Sequence, residues 1–221
     1  LSKPWNKLIV ALDLTSETKI SQAIGKLSPK VKKFKIGLIA YTRFGPKIIK
    51  KVKQRGGKVF LDFKLFDIPN TMAETAKAFV DLGVWAFTVH LKAGPEALQH
   101  LRREIKKYAK QKRKKAPLII GVTELTSKRV SIGKVLKLAK VAKRAKIDGV
   151  VCSVWEAKAI KEKFKLLTIT PGIRAKKAQD DQKRTATVEG ALKNKVDYFV
   201  VGRPIVSKKD YLKAAREVLA S

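Results

Sequence analysis

What the chain has little of narrows it first. One cysteine, Cys152, stands among 221 residues, so no internal disulfide forms and a disulfide-held secreted scaffold is excluded. Two histidines, His90 and His100, with no Cys/His cluster at ligand spacing, argue against a metal centre. No apolar run approaches the roughly 20 residues of a membrane-spanning helix, and no charged-then-apolar leader opens the chain. The expectation is a cytoplasmic protein without a membrane partner. No Gly/Pro/Ser-rich linker or low-complexity tract divides the sequence, so one domain over residues 1–221 is expected. Acid is scarce as well: 18 Asp and Glu face 51 Lys and Arg, a formal net charge of +33. Such an excess attracts nucleic acid or other polyanions but says nothing about fold. What is plentiful is ordinary: a hydrophobic fraction of 45% supports a real core.

Eight apolar runs punctuate the chain, at about 7–13, 34–37, 59–65, 85–90, 117–122, 148–152, 166–170 and 198–201. Each is nearly continuous rather than alternating, the pattern of strands buried on both faces. Between them lie helical patterns at about 17–27, 46–54, 71–82, 94–111, 132–145, 156–163, 188–192 and 209–219. Thr15 or Ser16 caps the first, and Gly56-Gly57 ends the second. Eight strand–helix units predict a closed (β/α)8 TIM barrel in preference to an open doubly wound sheet. The polar stretch before residue 184 has no apolar period and reads as a lid loop.

Barrels of this kind work at the C-terminal ends of their strands. Those ends supply Asp13, Lys35, Asp62 with Lys64, His90, Arg174, and Gly202 with Arg203, while Thr126 comes from the loop after the fifth strand. Asp62 and Lys64, two apart, share one face of a strand, and opposite charges pointing inward are costly unless paired. A structural ion pair is the plain reading of that dyad alone. Convergence of acids and bases from several strands favours catalysis. His90 is expected to be structural. Gly202-Arg203 after an apolar strand offers backbone N–H groups and a guanidinium to a phosphate, and Gln182 of the long loop falls within reach of it.

The run Asp62-x-Lys64-x-x-Asp67-Ile68-Pro69-Asn70-Thr71 resembles the signature of the orotidine 5′-monophosphate decarboxylases. Ala11-Leu12-Asp13, Phe34-Lys35-Ile36-Gly37, Leu125-Thr126-Ser127, Pro171-Gly172-Ile173-Arg174, Asp181-Gln182 and Val201-Gly202-Arg203-Pro204 are similar to that family's other landmarks, in the same order. The resemblance implies a barrel enzyme that decarboxylates orotidine 5′-monophosphate to uridine 5′-monophosphate in pyrimidine synthesis without a cofactor. It implies that Lys64 protonates C6, that Asp62 lies beside the departing carboxylate, and that Lys35 and Asp67 complete a Lys-Asp-Lys-Asp array. Asp13 and Lys35 would hold the ribose, Thr126 the pyrimidine edge, and Gln182, Gly202, Arg203 and Arg174 the phosphate. Asp67 and Thr71 would reach the neighbouring subunit's site, which implies a homodimer with shared active sites.

The lysines follow another logic. Lys134, Lys137, Lys140 and Lys143 recur every third residue, and residues 102–115 carry nine cations against Glu104 alone. Like charges at these spacings repel by a few tenths of a kcal/mol per pair, roughly. A solvated basic face is one reading. Retention of Asp13, Asp62 and Asp67 amid this excess points instead to an engineered, positively supercharged variant with sequence-blind affinity for nucleic acid or other polyanions.

Overall fold

The apolar runs become strands whose side chains are buried both inside and outside a cylinder. The computed structural model describes residues 4–124, 130–174 and 186–221. Its strands are β1 (Leu8–Ala11), β2 (Lys33–Gly37), β3 (Lys58–Leu65), β4 (Ala86–His90), β5 (Leu118–Val122), β6 (Gly149–Val151), β7 (Leu167–Thr170) and β8 (Tyr198–Val201). They pair in sequence order, all parallel, and β8 pairs with β1 to close the ring. This is the (β/α)8 barrel that the count of runs predicts. Ile9, Ala11, Phe60, Ile120, Ile169 and Val200 fill its interior. Trp85 and Tyr198, 5.4 Å apart edge to face, plug the N-terminal end, with the Lys33 ammonium 4.7 Å from the Tyr198 ring centre.

The helices are α1 (Glu17–Leu27), α2 (Leu38–Phe44), α3 (Lys47–Gln54), α4 (Pro69–Asp81), α5 (Gly94–Gln111), α6 (Ile132–Arg144), α7 (Val154–Phe164), α8 (Val188–Lys193), α9 (Arg203–Val206) and α10 (Tyr211–Leu219). Each longer one turns an apolar face onto the strands. Ile20, Ala23, Ile24 and Leu27 of α1, spaced three and four apart, are all buried. Ser16 caps α1 by accepting from the Lys19 N–H, and Asp210 caps α10. Two helices were not foreseen: α2, which directly follows β2, and the four-residue α9.

Helix ends carry a second surprise. After α3 and α4 the chain turns through Gly56 (φ +69°) and Gly83 (φ +65°), where glycine is the unstrained choice. The equivalent residues after α5, α6, α7 and α8 are Arg113, Lys146, Lys165 and Lys195, with φ between +52° and +58°. A left-handed conformation costs about 1–2 kcal/mol for a residue with a Cβ. A cation at a helix C-terminus regains about 0.3–1 kcal/mol. Charge is therefore kept there against a net conformational cost.

Candidate active site

The C-terminal end of the barrel opens into a cavity of about 540 Å³ whose floor is lined by four alternating charges. Asp13 follows β1 and receives the Lys35 ammonium of β2 at 3.0 Å. Lys35 lies 3.4 Å from Asp62 Oδ2, and Asp62 Oδ1 accepts from Lys64 Nζ at 2.9 Å. The side chains of Lys35 and Asp62 retain only 11% and 16% of their exposure, so these charges interact with little solvent screening. Burial works to raise the Asp62 carboxyl, but the charges of Lys35 and Lys64 and hydrogen bonds from Lys64 and Thr88 outweigh it. The net result holds Asp62 below its ordinary value and therefore ionised near neutrality.

Backbone geometry aims the lysine. β3 pairs regularly with β4 as far as Leu61, then shifts register before Leu65, and Lys64 in that gap has φ +53°. The unusual conformation is held from the next strand. The Lys64 N–H donates to Thr88 Oγ1 at 2.8 Å, and that hydroxyl donates to Asp62 Oδ1 at 3.1 Å. Thr88 is fully buried and ties backbone and carboxylate together. Gly37 gives the Asp13–Lys35 pair its space: a Cβ there would stand 2.9 Å from Asp13 Oδ1 and 3.1 Å from Lys35 Nζ.

Arg174, buried after β7, and exposed Arg203, first residue of α9, line the opposite side of the cavity with Gly202. Asp67 and Thr71 do not join this charge chain. Both are exposed, and Asp67 Oδ1 accepts from the Ile68 N–H at 2.7 Å where α4 begins. Within one chain the alternation is therefore Asp13, Lys35, Asp62, Lys64, with Asp67 set apart. Thr126 and Gln182, and most of the stretch read as a lid, lie outside the described residues.

His90 accepts at Nδ1 from the Lys92 N–H and packs its ring 5.5 Å from that of Phe66. Burial and the Lys92 charge push its imidazole below the usual value, which favours the neutral ring of a structural role. Three contributors escaped the sequence reading: Thr88, Gly37 and Glu124. Glu124, 4% exposed on the cavity wall, lies 3.1 Å from Lys134 and 3.4 Å from Lys92. Burial raises its carboxyl, and the two lysines more than compensate, leaving it lowered. An acid closing an apolar strand was the available signal, the same one that exposed Asp13.

Known proteins resemble this chain along nearly its whole length. The model of the orotidine 5′-phosphate decarboxylase / HUMPS family matches residues 6–218. The chain belongs to that family. An orotidine 5′-phosphate decarboxylase of Saccharophagus degradans is 40% identical over 98% of this chain and 95% of its own. The enzyme of that name from Dictyoglomus thermophilum is 36% identical over 98% and 95%. Among solved structures, the orotidine 5′-phosphate decarboxylase of Lactobacillus acidophilus superposes with a TM-score of 0.81 at 34% identity, covering 96% of both chains. An uncharacterized conserved protein from Geobacillus kaustophilus gives 0.82 at 28% identity. Membership in this family accounts for the (β/α)8 barrel.

Proposed function

We propose that this chain decarboxylates orotidine 5′-monophosphate to uridine 5′-monophosphate, with Lys64 as proton donor. The observation that carries the reading is the unbroken charge chain Asp13–Lys35–Asp62–Lys64 on the cavity floor. As the bond between C6 and the carboxylate breaks, carbon dioxide leaves and the electron pair stays on C6. Lys64 then transfers an ammonium proton to C6 and is reprotonated from solvent. Its Nζ is held by Asp62 before the reaction begins, so little reorganisation is needed as negative charge develops. Asp62 serves this step by orienting Lys64 and by keeping an anion next to the substrate carboxylate. Asp13 and Lys35 bind ribose hydroxyls, and Arg174, Gly202 and Arg203 the phosphate. Thr126 at the pyrimidine edge and Gln182 at the phosphate complete the assignment. Phosphate binding, remote from C6, supplies energy for the chemical step.

The same reading takes the active unit as a homodimer in which Asp67 and Thr71 enter the partner's cavity. Its support is apolar surface exposed at this end of the barrel: Phe66 and Ile68, which flank Asp67 in sequence, and Leu38 and Ile39 at the start of α2 are 46–66% exposed. The single cysteine, buried Cys152, suits the reducing cytoplasm. The decisive experiment is Lys64→Ala. Loss of orotidine 5′-monophosphate absorbance should cease while circular dichroism stays unchanged, and turnover near the parent rate would refute the assignment.

A second reading rests on the +33 charge: the surface also binds nucleic acid, without regard to sequence and with steep salt dependence. It treats the protein as an enzyme whose surface has been recharged around an intact site.

A further inference from the structure

We infer that double-stranded nucleic acid docks by its phosphates on the N-terminal end of the barrel, opposite the catalytic mouth; this rests on the nucleic-acid reading above and locates it. The turns from helix to strand gather at that end. Exposed Lys30, Arg55, Arg113, Lys146, Lys165 and Lys195 come one each from six of them. The turn after α4 has no cation of its own, but Lys53 reaches across and donates to the Leu82 carbonyl at 2.9 Å. Cations thus ring the closed end of the barrel.

Acids near this ring are engaged in holding the fold. Asp81 accepts from Tyr108 and pairs with Lys114. Asp148 binds Arg102 and the Ile119 N–H. Asp197 pairs with Lys161 and accepts from the Thr168 N–H. Glu162, exposed beside Lys161 and Lys165, is an acid that opposes them. The mouth has a mixed character: Asp13, Asp62 and Glu124 line the substrate cavity together with Lys35, Lys64, Arg174 and Arg203. A duplex finds exposed cations without interleaved acid pairs at the N-terminal end, whereas cations of the mouth are committed to the cavity acids or to a small substrate phosphate.

Folding does not explain the ring. Four of its members occupy left-handed positions where Gly56 and Gly83 show the unstrained solution in the same fold. Nor does the end suit a membrane or unpaired bases. Its aromatic plug, Trp85 and Tyr198, is partly buried and covered by Lys33. The exposed apolar residues Leu38, Ile39, Phe66, Ile68, Ile132 and Trp155 belong to the mouth end, leaving Leu192 near the end of α8. Among the described residues this end shows no exposed ring for base stacking and no broad apolar anchor, so what is left to recognise is a regular array of phosphates.

The test compares two fourfold variants of the full chain. Arg113→Gly, Lys146→Gly, Lys165→Gly and Lys195→Gly together remove four ring charges and relieve left-handed backbone. Lys19→Gln, Lys50→Gln, Lys140→Gln and Lys209→Gln remove four exposed charges from other faces. Affinity for a fluorescent 20-base-pair RNA duplex is read by anisotropy between 50 and 200 mM NaCl. The ring variant should flatten the log–log salt slope by about 3–4, near 0.9 per lost phosphate contact, whereas the control should change it by less than about 1. Equal losses in both would overturn the location while leaving nucleic-acid binding standing. No binding by the parent chain at 50 mM would overturn both. Tighter binding to phosphatidylserine vesicles than to the duplex would overturn the choice of partner. Saturating duplex should leave orotidine 5′-monophosphate turnover unchanged, and inhibition competitive with substrate would refute docking away from the mouth.

Discussion

Thr88→Val replaces a buried hydroxyl by a methyl group of nearly the same volume, so its effects isolate two hydrogen bonds. One holds the Lys64 N–H at 2.8 Å and the other reaches Asp62 Oδ1 at 3.1 Å. Leaving a buried N–H without its acceptor costs about 1–3 kcal/mol, and the bond to a carboxylate contributes about 1.5–3 kcal/mol. Allowing for relaxation, a loss of about 2–4 kcal/mol in stability is expected, seen as a lower urea midpoint at unchanged slope. A purely structural role would end there. If Thr88 positions Lys64, kcat should also fall by about 10–100-fold, because a displacement near 1 Å is felt at that level. The acid limb of the kcat/KM profile should move to higher pH, since one of the bonds that lower the Asp62 carboxyl is gone. Thr88→Ser, which keeps the hydroxyl, should restore most of the rate. A Val variant that is less stable but turns over at the parent rate with the parent pH profile would refute the positioning argument.

Mixing Asp67→Ala and Lys64→Ala chains should recover up to about a quarter of parental sites through statistical exchange between dimers. No recovery, with exchange verified by mass spectrometry, would count against shared sites. Gly37→Ala should lower kcat/KM by about tenfold or more, because a methyl 2.9 Å from Asp13 Oδ1 spreads the Asp13–Lys35 pair; its crystal structure would show a longer contact. Asp62 is depressed in the folded state, so its contribution to stability is present above the unfolded carboxylate value and disappears as pH falls through the folded one. Urea midpoints from pH 6 to pH 2 should therefore fall less steeply for Asp62→Asn than for the parent, and parallel curves would contradict the shift.

The strands were legible because a parallel barrel buries them on both faces, so continuous apolar runs carry the signal. The missed α2 buries Ala40 and half-buries Tyr41 and Phe44 against the core while Leu38 and Ile39 are exposed, so apolar residues fall all round its seven residues and no helical period stands out. Four residues of α9 cannot show any period. The Asp-x-Lys-x-x-Asp spacing pointed to Asp62 and Lys64, but pairing of Asp13 with Lys35 depends on which strands become neighbours. Thr88 was hidden as a β-branched residue ordinary for a strand, and Gly37 as a strand end. Both matter through what they stand next to across strands, which is a property of register. The left-handed turns after α5 to α8 escaped for a different reason: lysine and arginine occupy them where glycine would have signalled a stop.

The register shift in β3 has a mechanical consequence. A closed sheet is a hoop, and movement at one strand is ordinarily opposed by both neighbours. Between Leu61 and Leu65 the ladder to β4 is interrupted, and the Lys64 amide is bonded there by a side-chain hydroxyl. The segment that carries Lys64 is thus fastened by a pin through one residue. Hydrogen exchange at the Lys64 amide should report that pin separately from the barrel around it. A single threonine thus sets where Lys64 stands, and removing its hydroxyl is felt locally at that interruption of the hoop as well as in global stability.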